Sequence, residues 1–156
     1  MAKFVQWVPT MPEYINGFFE VVSLSASDVV YDLGSGDGRL LFAALERGAG
    51  RCVGIDIDPK KVNEAQESAR EKGLESKITF IKGDFLDHDL SEATVILCYL
   101  FPEALRALRP KFERELKPGT RIVSEVFTVP EWKENKVKEV NRKHFNLYIM
   151  PPEKED

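Results

Sequence analysis

The stretch YDLGSGDGRL, residues 31–40, constrains the fold more than any other part of the chain. VVYDL at 29–33 reads as a short apolar strand, and Gly34, Gly36 and Gly38 follow it at alternate positions. Glycine reaches positive φ without steric penalty and lets a ligand come close to the main chain. Residues 38–47 then place Leu40, Leu41, Ala44 and Leu45 on one face at helical spacing. A strand, a glycine turn and a helix in succession make half of a parallel crossover unit.

The same alternation runs along the chain. Residues 12–22 put Ile15, Phe18, Phe19 and Val22 at helical spacing behind Pro12. RCVGIDI is a second strand, and Asp58 with Pro59 caps and opens the next helix, which Gly73 closes. KITFIKG at 77–83 and the almost wholly apolar ATVILCYL at 93–100 are further strands, the latter expected at the centre of a parallel sheet. A helix follows from Pro102 to Leu116, bent or broken at Pro110. A fifth strand lies in KPGTRIVSEVF and a last one in HFNLYIM. A seventh, near HDLSEA, is too weak a signal to claim. The expected fold is α/β: a doubly wound, mostly parallel sheet with helices on both faces.

At 156 residues the chain is read as a single domain. Its parts are an N-terminal helical segment, 1–27, and a ligand-binding core, 28–150. The net charge of −4 argues against a nucleic acid partner, whose phosphates call for a basic face. No apolar run approaches the roughly 20 residues of a membrane span, and the N-terminus lacks a leader pattern. Cys52 and Cys98 sit far apart in apolar stretches and read as buried reduced thiols, which points to a cytoplasmic protein. With His88 and His144 they form no ligand spacing, so no metal is expected.

In such a sheet, ligands bind beyond the carboxyl ends of the strands. The turn DLGSGDG has the form G-x-G-x-G, with its third glycine one position early for a dinucleotide fingerprint. Asp32 and Asp37 would repel a pyrophosphate and welcome an ammonium group. A nucleoside carrying an amino-acid tail, such as S-adenosylmethionine, meets that requirement. Asp56 ends the second strand, where a carboxylate can accept both hydroxyls of a ribose, with Ile57 beside the base. The third strand ends in GDF, where Asp84 can accept from an adenine amino group and Phe85 can flank the ring.

VVYDLGSGDGRL, GIDIDP and KGDF, in that order and spacing, resemble the first three motifs of the seven-stranded class I S-adenosylmethionine-dependent methyltransferases. The resemblance implies a seven-stranded sheet with a late antiparallel strand. A narrower resemblance joins WVPT near the start, YDLGSGDGR, LFPEALRALRPKFERELKPGTRIVS and PEW. It is to a small group of protein-lysine methyltransferases with archaeal and mitochondrial members.

By that similarity Asp32, Gly34, Ser35, Gly36, Asp37 and Gly38 would line the methionine end of the cofactor, Asp56 and Ile57 the ribose and adenine, and Asp84 and Phe85 the adenine edge. Thr10 would touch the cofactor or cap the first helix. Tyr99, Leu100 and Phe101 would line the acceptor channel, with Trp132 a further candidate wall and Tyr99 the one candidate catalytic residue. CYLFP stands where base and amide methylases of this class carry Asn/Asp-Pro-Pro-Tyr, which again disfavours nucleic acid. The implied partner is a protein presenting lysine; the alternatives are a small-molecule methyltransferase and a cofactor-binding protein without catalysis. No dedicated general base stands out; Glu125, near the end of the fifth strand, is one candidate, but it reads rather as a solvent-facing strand carboxylate. TVPEWKENKVKEVNRK, 128–143, reads as a solvated connection or a substrate loop.

Overall fold

The computed structural model describes residues 12–156, with side chains from Tyr14 onward; Thr10 and WVPT lie outside the described residues. The chain alternates α1 (Pro12–Val21), β1 (Val29–Leu33), α2 (Arg39–Glu46), β2 (Arg51–Asp56), α3 (Pro59–Glu71), β3 (Ile78–Lys82), β4 (Val95–Cys98), α4 (Pro102–Glu115) and β5 (Arg121–Glu125). Four shorter or later strands complete it: β6 (Trp132–Lys133), β7 (Lys136–Val140), β8 (Lys143–Ile149) and β9 (Glu153–Lys154). Seven strands form one sheet in the order β3-β2-β1-β4-β5-β8-β7, and β6 pairs with β9 separately. β1 to β5 are mutually parallel, while β8 runs antiparallel to both β5 and β7.

The order reverses between β1 and β4, so the carboxyl ends of these strands flank a switch point. Alternate residues of β1 show the layering. Tyr31 and Leu33 pack with α4 in one core, and Val30 packs with α1, α2 and α3 in the other. Strand residues point to opposite faces with a period of two. Asp32 therefore shares the α1–α3 face with Val30, as Glu125 does with Val123 and Lys143 with Phe145. α1 lies close on this face because Gly17 leaves room for the Phe145 ring; a Cβ there would meet the ring at 2.1 Å.

Local signals explain most of the elements. Asp58 caps α3 by accepting from the Lys60 amide at 2.9 Å, with Pro59 at the first helical position. Gly73 adopts φ +69° just past the helix end. Three readings need correction. α4 runs unbroken through Pro110. The HDLSEA region holds no strand; Asp89 and Ser91 form a local polar turn there instead.

The seventh strand is β7, inside the segment read as a connection. KVKEV is almost fully exposed and carries charge along its length, as suits a sheet edge. Its two-residue hairpin turn is Asn141-Arg142, both at positive φ. Only the asparagine half of the usual Asn-Gly signal is present.

Candidate active site

The glycine turn joins β1 to α2 at the carboxyl edge of the sheet. Gly34, Gly36 and Gly38 take φ of 88°, 56° and 88°, the left-handed region that side chains resist. The turn is tied to β2: the amides of Gly34 and Ser35 both donate to the Ile55 carbonyl, at 2.8 and 3.2 Å. The Gly36 amide donates to Asp56 Oδ2 at 2.8 Å, and Asp58 N–H donates to the other oxygen at 2.9 Å. Asp56 thus braces the turn, and it is 1% exposed. Gly54 lets the two strands meet; a Cβ there would sit 2.6 Å from Ser35 Oγ.

Negative charge gathers at this edge. Burial pushes the Asp32 carboxyl up to about 8, and the charges of Asp56, Asp37 and Glu125 push the same way. Asp37 behaves differently. Burial acts to raise it, but hydrogen bonds from Arg39 outweigh burial and hold it below the usual carboxylate range. The Arg39 guanidinium reaches it at 2.7 and 3.1 Å. Ser35 Oγ is buried without a hydrogen-bond partner. A buried orphan hydroxyl and an acid held partly neutral form a recess suited to a cationic, polar ligand.

An aromatic corner adjoins the acids. Tyr99, just past β4, stacks on Phe127 with centroids 6.1 Å apart, and Phe101 meets Phe127 edge-on at 5.3 Å. Phe127 is placed by a tight turn at the end of β5. Its amide donates to the Glu125 carbonyl at 2.8 Å, and Val126 between them takes φ +67°. This is a γ-turn of the strained, positive-φ kind. Asn146, on β8, holds it by donating to the carbonyls of Ser124, Val126 and Phe127. Glu125 faces inward. It is 1% exposed, burial raises its carboxyl, and Lys143 Nζ donates to its Oε2 at 3.1 Å.

The structure brings Asp32, the three turn glycines, Ser35, Asp37 and Asp56 together, with Ile57 half-buried at the end of β2. Asp84 lies at the end of β3, where its carboxylate caps a short 3-10 turn by accepting from the Leu86 amide at 2.9 Å. The Phe85 ring is 1% exposed and packs in the α4-side core. Leu100 is buried as well, facing Gly34. Phe101 is open, at 47% exposure.

Trp132 is no channel wall. It is 1% exposed, packs on Phe112 and Tyr148, and donates from Nε1 to Glu113 at 2.9 Å. Glu125 is not solvent-facing. Tyr14, Phe127, Lys143 and Asn146 escaped the sequence reading, because they come from three separate places, α1, the turn after β5 and β8, and belong to no contiguous motif. Among the described residues no cluster of potential metal ligands occurs, and no helix is long and apolar enough to cross a membrane.

Residues 32–136 match the family described as ANTKMT methyltransferase domain. A protein-lysine N-methyltransferase of Saccharolobus islandicus is 36% identical over 151 residues, covering 94% of both chains. The mouse adenine nucleotide translocase lysine N-methyltransferase is 33% identical over 101 residues, 65% of this chain and 44% of that one. Among solved structures, one described as an RNA methyltransferase from Salinibacter ruber, in complex with S-adenosyl-L-homocysteine, superposes with a TM-score of 0.88. It is 36% identical and covers 92% of this chain and 94% of its own.

Proposed function

We propose that the chain, which belongs to the ANTKMT methyltransferase domain family, transfers a methyl group from S-adenosylmethionine to the side-chain amine of lysine in proteins. The observation that carries this reading is the acidic, glycine-lined recess at the ends of β1 and β2. Asp32, held partly neutral, regains its charge when a cation arrives. Asp37 completes the cradle for an amino-acid tail, and Ser35 Oγ offers it an unused hydroxyl. Asp56 braces the turn and keeps carboxylate lone pairs free for sugar hydroxyls. When bound, S-adenosylmethionine supplies an electrophilic methyl group.

What remains for the protein is alignment and dehydration of the acceptor. Lysine has an unperturbed pKa of about 10.4 and attacks only after losing a proton. Tyr99, Phe101 and Phe127 form an apolar approach at the edge of the recess, where desolvation lowers an ammonium pKa. Tyr99 is placed here as a wall that orients the amine. Support for lysine comes from the Saccharolobus and mouse relatives.

A second reading, methylation of RNA, follows from the description of the Salinibacter structure. The net charge of −4 and the acidic recess weigh against it. One experiment separates them. The enzyme is incubated with methyl-labelled cofactor and a lysate divided by protease or ribonuclease treatment, and the products are read by mass spectrometry. Methyl-lysine in protein, abolished by protease, is the expected outcome. Label confined to nucleotides would overturn the lysine reading.

A further inference from the structure

Lys143 occupies an unusual place. Its ammonium lies 3.1 Å from Glu125 Oε2, 4.1 Å from the centre of the Tyr14 ring and 5.3 Å from that of Tyr99. A carboxylate and two aromatic faces within about 6 Å of the charge make a receptor for an alkylammonium ion. Its three parts come from α1, the end of β4 and the end of β5, all at the carboxyl edge of the sheet, where Asp32 also lies. Phe127 backs Tyr99, and the strained turn at Val126 aims both Glu125 and Phe127.

An ordinary structural ion pair would satisfy the buried acid. Lys143 does not: Glu125 Oε1 is buried with no hydrogen-bond partner, although the residue is 1% exposed. A buried acceptor left open costs about 1–3 kcal/mol, so a site that keeps one is built for another donor. Lys143 itself is held lightly. It is the first residue of β8, next to the exposed Asn141-Arg142 turn, and its side chain keeps 30% of its surface in solvent. Its four-carbon stem can swing out without moving the strand.

We propose that Glu125, Tyr14 and Tyr99 form the subsite for the acceptor lysine's ammonium group, and that Lys143 fills it as an internal stand-in until substrate displaces it. A recess that holds one lysine head group from this chain fits the same group from another. Lys143 therefore competes with substrate and lowers its apparent affinity by the fraction of time the subsite is taken. The inference rests on the lysine reading above and names the residues that serve it.

The test uses the full chain with Nα-acetyl-lysine methylamide as probe. Methylation kinetics are compared for wild type, Lys143→Met and Lys143→Arg. Removing the competitor should lower the probe KM about ten-fold in Lys143→Met with little change in kcat, while Lys143→Arg keeps a cation in place and shows no fall. Glu125→Gln should raise KM instead.

A measurement on the wild type guards against a variant that fails to fold. The Lys143 methylene signals in NMR spectra of the S-adenosylhomocysteine complex should move to solvent-like values as the probe is added. Unchanged Lys143 signals at saturating probe, or an unchanged KM in a folded Lys143→Met protein, overturns the inference while lysine methylation by wild type leaves the functional reading standing. Wild type that labels only nucleotides overturns both.

Discussion

Two aspartates bound strand β1, and they are buried to nearly the same depth: Asp28 is 6% exposed and Asp32 is 5%. Their surroundings differ completely. Asp28 accepts from the Arg121 guanidinium at 2.6 Å, the Thr94 hydroxyl at 2.7 Å and the Ser25 amide at 2.8 Å. Asp32 has three acids for neighbours and a pKa pushed to about 8 by burial first and their charges second. At the amino end of the strand the fold meets every need of a buried charge. At the carboxyl end it leaves one unmet, alongside the open atoms of Ser35 and Glu125. A buried polar group that the fold does not satisfy is the better guide to function, because stability alone would have removed it.

The largest effect is expected at the turn itself. Gly36 takes φ 56°, and a β-branched side chain there is strained as well as bulky. Gly36→Val should abolish S-adenosylhomocysteine binding in calorimetry; retained affinity in a folded variant would remove the turn from the cofactor site. Next comes the satisfied end. Asp28→Ala strands Arg121 and Thr94, and should cost roughly 2–4 kcal/mol in chemical denaturation. Ligand affinity of the folded fraction should not change.

Asp32→Asn should do the opposite. A carboxyl whose folded pKa exceeds its unfolded value keeps its proton in the native state after the unfolded chain has lost it. Wild-type stability therefore falls as pH rises from about 4 to about 8. Asparagine removes that decline. The variant should be more stable than wild type by ~2 kcal/mol at pH 8, with the gap closing towards pH 4. Its ligand affinity should drop at least about ten-fold, the equivalent of a lost charge-assisted contact. Melting curves across that pH range and calorimetry at one pH would separate the two effects. A variant less stable at pH 8 would sink the contrast between the two ends.

The smallest effect belongs to Trp132. Trp132→Phe loses the hydrogen bond to Glu113 and should cost ~1 kcal/mol. Because the residue lies in the α4-side core, kcat should stay at the wild-type value. A large fall in kcat with stability intact would return Trp132 to the acceptor path.

The alternation of strands and helices, the capped start of α3 and the glycine turn were all legible along the chain, since each depends on residues within a few positions of one another. Period-two and period-3.6 patterns and positive-φ glycines are local facts. They were enough to point to a parallel sheet, the site's place on it and the acids at 32, 37 and 56. β7 was missed because an edge strand with charge on both faces has no apolar period to read. Trp132 was misplaced because an apolar residue near a site looks the same in sequence whether it lines a channel or fills the core.

Tertiary structure alone decided the environment of each acid. Sequence cannot separate Asp28 from Asp32, or show that Glu125 is buried, because those properties depend on which side chains other elements bring near. Arg121 arrives at Asp28 from 93 positions away, Lys143 reaches Glu125 from 18, and α1 contributes Tyr14 from the far end of the chain. Charge in a buried place is governed by through-space distance and lost hydration, and only the folded packing sets those.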